Sequence, residues 1–308
     1  LPARELRVGD YACIPIDQTQ DVQAERTFSI AVGHGKGAFT QEELVVPCTE
    51  DLFTLIGYYL VEGSISSGHY LNFSFNENER ELIDEVKRLI SSVFDETHIS
   101  ESHHKKNHGT TVVVSSTKLC RFFEQFGTSS ATKSMPLWVQ HEAKEKQRKL
   151  LKAWYLGDGN YYRKTNAHGF KEAFRICTVS QGLARQSVRL LARVGIASSL
   201  NARDRTHEKR QTMYSIVIGG EYMIPFGQVV SQPVQPKVWG KKRATFFHVD
   251  DSYMYAPIRS ITAADVRNIN VYNFSVATDE SYVAGGVAVH NCTAPSFSSG
   301  SLHSAVVE

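Results

Sequence analysis

A nine-residue stretch occurs twice in this chain, as Leu55-Ile56-Gly57-Tyr58-Tyr59-Leu60-Val61-Glu62-Gly63 and as Leu151-Lys152-Ala153-Trp154-Tyr155-Leu156-Gly157-Asp158-Gly159. Both copies end in an acid followed by glycine. Each reads as an apolar helix, and the small residues Gly57, Ala153 and Gly157 would let two such helices cross with their backbones close together. Gly63 and Gly159 stand where each helix ends, so a left-handed cap is expected at both. Glu62 and Asp158 are then out of place, because a carboxylate in a last helical turn faces the negative end of the dipole, at a cost of roughly 0.3–1 kcal/mol. Something positive is expected nearby. If the helices lie side by side, the two acids converge at one end of the seam, and paired acids with no basic neighbour in either motif point to a divalent metal site. Two core helices with ordinary acidic ends are the plainer alternative, and it suits a single motif better than two matched copies.

At 308 residues the chain has room for about two domains, and 42% hydrophobic residues can bury real cores. The formal charge of +2 neither demands nor excludes nucleic acid, so a DNA-binding surface must come from local clustering. Cys13, Cys48, Cys120, Cys177 and Cys292 are scattered, without a CxxC pair or zinc-ligand spacing, which predicts a reduced, intracellular, cytoplasmic protein. No apolar run reaches membrane-spanning length, and the opening Leu1-Pro2-Ala3-Arg4-Glu5 lacks the order of a signal peptide. The missing initiator methionine suggests a fragment or a processed product.

Taken in order, residues 1–16 place a turn at Gly9-Asp10 and a strand from Tyr11, and Gly33-His34-Gly35-Lys36-Gly37 reads as a loop or an extra DNA-contacting arm. After the first motif come a strand at 70–75 and a helix at 79–94, with Leu82, Ile83, Val86, Leu89 and Ile90 at helical spacing. After the second motif a strand at 174–179 and a helix at 183–194 repeat that order. Residues 111–114 answer 213–218 as later strands, and 121–127 loosely answer 221–229. One αβ unit has been duplicated and fused.

The loops and ends of these strands carry the charge that the total hides. Lys105 and Lys106 follow His103-His104, Arg163 and Lys164 to Lys171 form a loop at a strand end, Arg175 lies in the 174–179 strand, and Arg203, Arg205, Lys209 and Arg210 form a later tip. Such basic strands could lie along a DNA groove, with phosphate contacts giving affinity and base-edge contacts giving specificity. Taken singly, each run also reads as a solvated loop.

The two nonapeptides resemble the paired motifs of the LAGLIDADG homing endonucleases. The resemblance implies an α+β fold, a pseudo-two-fold duplicated αββαββα endonuclease. It implies a nuclease that makes double-strand breaks in a long double-stranded DNA site with Mg²⁺, and Glu62 and Asp158 would be its metal ligands and catalytic acids. With both acidic helices in one chain, a monomer is expected. Ala131-Thr132-Lys133-Ser134-Met135-Pro136 resembles the Lys-x-x-Pro segment of intein-borne endonucleases, and by that resemblance Lys133 would lie near the metals and assist hydrolysis. Gln235-Pro236-Lys237 is a less clear counterpart in the second repeat, with Lys237 as its candidate. A surface lysine beside a proline is the plain alternative for both.

From His248 the chain returns to short strands and ends them at His290-Asn291-Cys292. This resembles the C-terminal splice junction of an intein, a Hint-type β domain. There the Asn291 amide would attack its own carbonyl, His290 would polarise that carbonyl or protonate the leaving amine, and Cys292 would be the acceptor thiol. Glu5-Leu6-Arg7-Val8-Gly9-Asp10 resembles the strand that precedes the nuclease insertion in that family. The family's first Cys or Ser and its Thr-x-x-His block would lie upstream of Leu1, and Glu280 stands where a histidine is usual. The expected organisation is therefore Hint strands at 1–48, the endonuclease at 49–242 (repeats at about 49–140 and 141–242), C-terminal Hint strands and the splice junction at 243–291, and C-extein or tail at 292–308. Two alternatives stay open: a cleavage-dead DNA- or RNA-binding protein of the same fold, and a split-intein C-fragment that acts only in trans-splicing with a separate N-terminal fragment.

Overall fold

The computed structural model describes residues 5–33, 39–96, 98–104, 108–166, 169–234, 247–265, 278, 281–284, 286–290 and 303–307, with backbone only at 33, 39, 164–166, 169–171, 263–265 and 303–307. The chain begins with β1 (Tyr11–Pro15), β2 (Glu25–Gly33) and β3 (Phe39–Pro47). The first repeat is α1 (Glu50–Glu62), β4 (Gly63–Ser66), β5 (Tyr70–Asn76), α2 (Arg80–Phe94), β6 (Ile99–His104), β7 (Gly109–Ser115) and α3 (Thr117–Glu124). A short helix, α4 (Leu137–Gln140), leads into the second: α5 (Lys144–Asp158), β8 (Gly159–Asn166), β9 (Gly169–Thr178), α6 (Gln181–Arg193), β10 (Ser199–Arg203), β11 (Met213–Ile218) and α7 (Met223–Val229). Each repeat thus has the expected αββαββα order. The last strands are β12 (His248–Val249), β13 (Tyr253–Pro257), β14 (Ile261–Asp265), β15 (Ser281–Ala284), β16 (Val287–His290) and β17 (His303–Val307).

These elements fall into two units, Gln18–Lys237 and Leu1–Asp17 with Val238–Glu308. In the larger unit, α1 starts at Thr49, whose hydroxyl accepts from Leu52 N at 3.3 Å, and places Glu50 and Asp51 at the positive end of its dipole. Leu52, Phe53, Leu55, Ile56, Tyr58, Tyr59 and Leu60 are all buried, because α5, α2 and the first sheet surround the helix. The crossing with α5 needs its small residues. A Cβ on Gly57 would stand 2.5 Å from Leu150 O and 2.7 Å from Ala153 Cβ, and one on Gly157 would stand 2.5 Å from Val61 Cγ2.

The two antiparallel sheets run in the orders β4-β5-β7-β6 and β8-β9-β11-β10. Leu71, Phe73, Phe75, Val112 and Val114 face the core in the first, and Phe174, Ile176, Ile216 and Ile218 in the second. The residues between them alternate outward. Gly63 pairs with Phe73 and Gly159 with Ile176, so the two sheets share strand order and register.

Two expectations need correction. The glycines that end the motif helices are extended, at φ −79° for Gly63 and −85° for Gly159, and not left-handed. They are glycines because the chain turns from helix to strand across the ring four residues back: a Cβ would overlap the ring and carbonyl of Tyr59 in one repeat and of Tyr155 in the other. The β2–β3 hairpin, expected with the N-terminal strands, packs in the larger unit. Phe28 lies edge-on to Phe122 at 5.1 Å and 5.8 Å from Trp138, and Arg26 pairs with Asp21 at 2.8 Å beside the fully buried Glu142. Its glycine-rich tip at 34–38 lies outside the described residues.

In the smaller unit β1 follows a turn in which Asp10 N donates to Arg7 O and Gly9 has φ +101°. β1 pairs with β13, β13 with β12, and β16 lies beside β1. β15 and β16 form a hairpin with Ser281 opposite His290. The 271–276 strand and Glu280 lie outside the described residues, in which no helix is long and apolar enough to cross a membrane and Cys13, Cys48, Cys120 and Cys177 are free thiols.

Candidate metal centre and sheet faces

The helix seam delivers the two motif acids to one place. Glu62 Oε1 would stand 3.4 Å from a Cβ on Gly157, so its carboxylate lies over the residue that precedes Asp158 on the opposing helix. Burial first, then the charge of Asp158 and that of Glu79, push the Glu62 carboxyl up to about 7. Asp158 keeps an edge in solvent, yet the protein packed around it raises its carboxyl as well. Among the described residues neither acid has a hydrogen-bond or ion-pair partner, and no group of three or more His, Cys, Asp or Glu side chains could hold a metal. The arrangement is a largely desolvated Glu62 carboxylate raised further by the charge of the more exposed Asp158. A hard divalent cation whose other ligands are water and phosphate oxygen suits that donor set.

Lys133 reaches the same end of α1 by a different route. It is 2% exposed, and its Nζ donates to Tyr59 O at 2.7 Å, one helical turn before Glu62, with the ring of Tyr59 3.2 Å away. Burial pushes its ammonium down to about 6. The helix end that called for a positive group thus receives a buried amine that donates to its main chain, supplied by the linker and not by the motif. Its sequence-predicted counterpart Lys237 lies outside the described residues, as do Lys105, Lys106, Asn291 and Cys292. His290 ends β16.

The basic candidates separate into three situations. Arg175 faces outward on β9, its Nε donating to Asn160 Oδ1 at 3.1 Å and its guanidinium 5.5 Å from the Tyr162 ring. Arg163 is exposed opposite Glu172, and Lys164 is opposite Lys171 in the same ladder, though the side chains of these two lysines are outside the description. Arg203 and Arg205 both pair with Glu208, at 2.9 and 3.0 Å, while Lys209 and Arg210 are exposed, Lys209 at φ 55°. Sequence reasoning missed the neutral outward positions Asn72, Ser74 and Asn76 on β5 and Asn160 and Asn201 in the second sheet. Strict alternation with Leu71, Phe73 and Phe75 was the signal for the first three.

Comparison with known proteins agrees with this architecture. Residues 50–127 and 145–230 match the model of the LAGLIDADG-like domain. The chain is 30% identical over 262 residues to an iron–sulfur cluster assembly SufBD family protein of Mycobacterium tuberculosis, covering 82% of this chain and 28% of that protein. It is 26% identical over 250 residues to the ATP-dependent DNA helicase Hel308 of Thermococcus kodakarensis, covering 80% of this chain and 22% of that protein. The chain therefore spans about a quarter of the length of the curated relatives it matches. Among solved structures it is similar to I-DmoI in complex with DNA and Mn, with 17% identity, a TM-score of 0.44, and coverage of 61% of this chain and 99% of that one. Both family-model segments start at the head of a motif helix and end in α3 or α7 and the residues just after it, and together they take in more than half of the residues: the chain belongs to the LAGLIDADG-like domain family.

Proposed function

We propose that the chain is an intein-borne, site-specific homing endonuclease that makes double-strand breaks in DNA by Mg²⁺-dependent phosphodiester hydrolysis. The observation that carries the nuclease reading is the convergence of Glu62 and Asp158, both carboxyls raised by burial and neither with a hydrogen-bond or ion-pair partner among the described residues, at the end of the α1–α5 seam. Leaving two such carboxylates unpaired is costly unless they bind something positive. A bound Mg²⁺ would supply Lewis-acid polarisation of the scissile phosphate and a more acidic water. Glu62 and Asp158 would hold it, one from each repeat. The outward faces of the two sheets would lie along the duplex and fix which phosphate stands at the seam. Both acids belong to one chain, so the nuclease acts as a monomer.

The splicing part of the reading rests on the His290-Asn291-Cys292 junction and on the kind of proteins in which similar segments occur. An iron–sulfur assembly protein and a helicase share little chemistry, so a segment common to both has a function of its own, as an inserted element does. In this reading Asn291 cyclises with help from His290, Cys292 begins the downstream host sequence, and the N-terminal part of the splicing element is a second partner beside DNA. The strands of 1–17 and 243–291 serve splicing, and the protein works in a reducing cytoplasm.

The test is cleavage of a plasmid carrying the host coding sequence with the insertion's codons removed, in Mg²⁺, by the native chain, Glu62→Gln and Asp158→Asn. Native cutting that EDTA and either substitution abolish, with binding retained, is the expected result. Binding without cutting, or equal cutting by the substituted chains, ends the nuclease reading. Release of residues 292–308 that Asn291→Ala blocks is expected for splicing, and its absence in the presence of the N-terminal part removes that half.

A further inference from the structure

The linker between the repeats is built around one side chain. Tyr59 is held at both ends: its hydroxyl donates to Gly127 O at 2.8 Å, and its carbonyl accepts from Lys133 Nζ at 2.7 Å as well as from Gly63 N, the amide that closes α1. Gly127 sits at φ +85°, and a Cβ there would run into the carbonyl of Thr132, so the linker folds back tightly to bring Lys133 over the ring. The Lys133 backbone is pinned in turn. Its carbonyl accepts from Ser180 Oγ at 2.7 Å, and Ser180 is the residue that caps α6 of the second repeat by accepting from Leu183 N at 3.1 Å. Two residues on, Gln186 of α6 bonds both the N–H and the carbonyl of Met135, at 2.8 and 2.9 Å.

We infer that Lys133 is a positioning residue: it ties the last turn of α1, and with it the carboxylate of Glu62, to the α6 N-terminus of the opposite repeat, and so fixes where one metal ligand stands relative to the other. The inference rests on the nuclease reading and departs from the role that sequence resemblance implies for Lys133, which is action on the reacting water or phosphate. Three features argue for positioning. Its Nζ is committed to a main-chain carbonyl one turn from Glu62. It is almost wholly buried, so reaching a phosphate would mean unwrapping the linker. Its burial also favours the neutral amine, which still has two N–H groups to donate to Tyr59 O and lacks the fixed charge that stabilises a phosphorane-like transition state.

The first measurement needs no variant. In the native chain labelled with ¹⁵N-lysine, the Lys133 Nζ resonance is expected to be protected from solvent exchange and to stay protected when a duplex of the target site is added with no divalent metal present. Loss of protection on adding the duplex, as the amine swings to the DNA, overturns the inference. The second measurement is Mn²⁺ binding followed by electron paramagnetic resonance, with no DNA present. Lys133→Met is expected to weaken Mn²⁺ binding by at least about tenfold, as losing a partner that orients a ligand does. Lys133→Gln, which keeps a shorter N–H donor, should recover part of that loss. With the duplex present, the Mg²⁺ concentration for half-maximal single-turnover cleavage should rise in the same proportion, while the rate at saturating Mg²⁺ stays within a few-fold of native. An unchanged Mn²⁺ affinity with a collapsed saturating rate overturns the inference and restores direct action on the reacting groups. A native chain that binds no Mn²⁺ counts against the nuclease reading itself, which separates the two failures.

Discussion

Asn72 and Arg175 occupy the same place in the two sheets. Asn72 lies opposite Ser64 and Val113, and Arg175 opposite Asn160 and Val217. One row along, Ser74, Thr111 and Ser102 correspond to Cys177, Ser215 and Asn201. The backbone has been kept and the chemistry of the face has been changed. The described outward positions of the first sheet offer amides, hydroxyls and the His104 imidazole but no lysine or arginine, while the second sheet offers two guanidiniums, Arg175 and Arg203. If the faces lie on DNA, the first reads base edges and gains little from phosphates, and the second adds the salt-dependent attraction. A duplicated scaffold can thus divide affinity from specificity between its halves.

The largest expected effect concerns the pair that the duplication did not make identical, Glu62 and Asp158. Either Glu62→Gln or Asp158→Asn should lower single-turnover cleavage by about 10²–10³-fold, as loss of a group that stabilises charge at the reacting centre does. Their effects on stability should run the other way. The folded carboxyl of Glu62 titrates near 7 against an ordinary value of 4.5, so in the metal-free protein stability is lost as pH rises between those values. The loss is complete above about pH 7. Glu62→Gln should therefore unfold at a higher temperature than native at pH 8 and at the same temperature at pH 4, a gain of about 1–3 kcal/mol after allowance for partial solvent access. Asp158→Asn should gain less, because that acid keeps more solvent. Equal melting curves at both pH values for both variants would show that the two helix ends are not desolvated.

The seam glycines sharpen the comparison next. Gly57→Ala pushes a methyl group into the backbone of Leu150 and the Cβ of Ala153, neither of which can rotate away, and should cost about 3 kcal/mol by urea denaturation. Gly157→Ala meets the end of the Val61 side chain, which can turn, so about 1 kcal/mol is expected. That smaller change should still weaken divalent-metal binding, because Glu62 Oε1 lies against the same position. If the two substitutions cost the same, the helices do not cross as described.

Much of this was legible in the chain. The repeated acids, the small residues of the crossing and the order of strands and helices all follow from local periodicity, which duplication doubled. What escaped was set by contacts between distant residues. Nothing near Gly63 or Gly159 says that a tyrosine ring, and not a left-handed turn, excludes a side chain there. Phe28 draws the β2–β3 hairpin into the larger unit through Phe122 and Trp138, about a hundred positions away. For Lys133 the sequence left two readings, a lysine near the metals by resemblance and a surface lysine beside a proline, and its burial comes from the fold-back at Gly127, which no local pattern announces. The pairing of Arg203 and Arg205 was within reach, since Glu208 stands in the same run.

A smaller effect separates the sheet faces directly. Arg175→Gln should weaken DNA binding several-fold at moderate salt and reduce the slope of log affinity against log salt by about one, across all sequences, or relax discrimination at one base pair by about 1–3 kcal/mol if the guanidinium reads a guanine. Asn72→Ala should leave the salt slope unchanged and relax preference at a single base pair of the other half-site. The same salt-slope change from both substitutions would remove the division of labour between the sheets.

The smallest effect tests how much of the second repeat's charge is already spent. Arg203 is 64% exposed, and Arg205 18%, yet both are tied to Glu208, so at this tip one carboxylate offsets two guanidiniums before any DNA arrives. Exposed pairs of this kind contribute about 0–1 kcal/mol, so Glu208→Gln should change the melting temperature little. It should nonetheless release Arg203 and Arg205 toward phosphates, tightening DNA binding about two-fold at low salt and making the salt dependence steeper. An equal change from Glu101→Gln would mean that total charge, and not the tip, sets affinity. Glu101 is the acid that Arg80 and Lys87 hold on the first sheet. Its release should matter less, because β6 carries it on the side of those helix residues and away from Ser100 and Ser102.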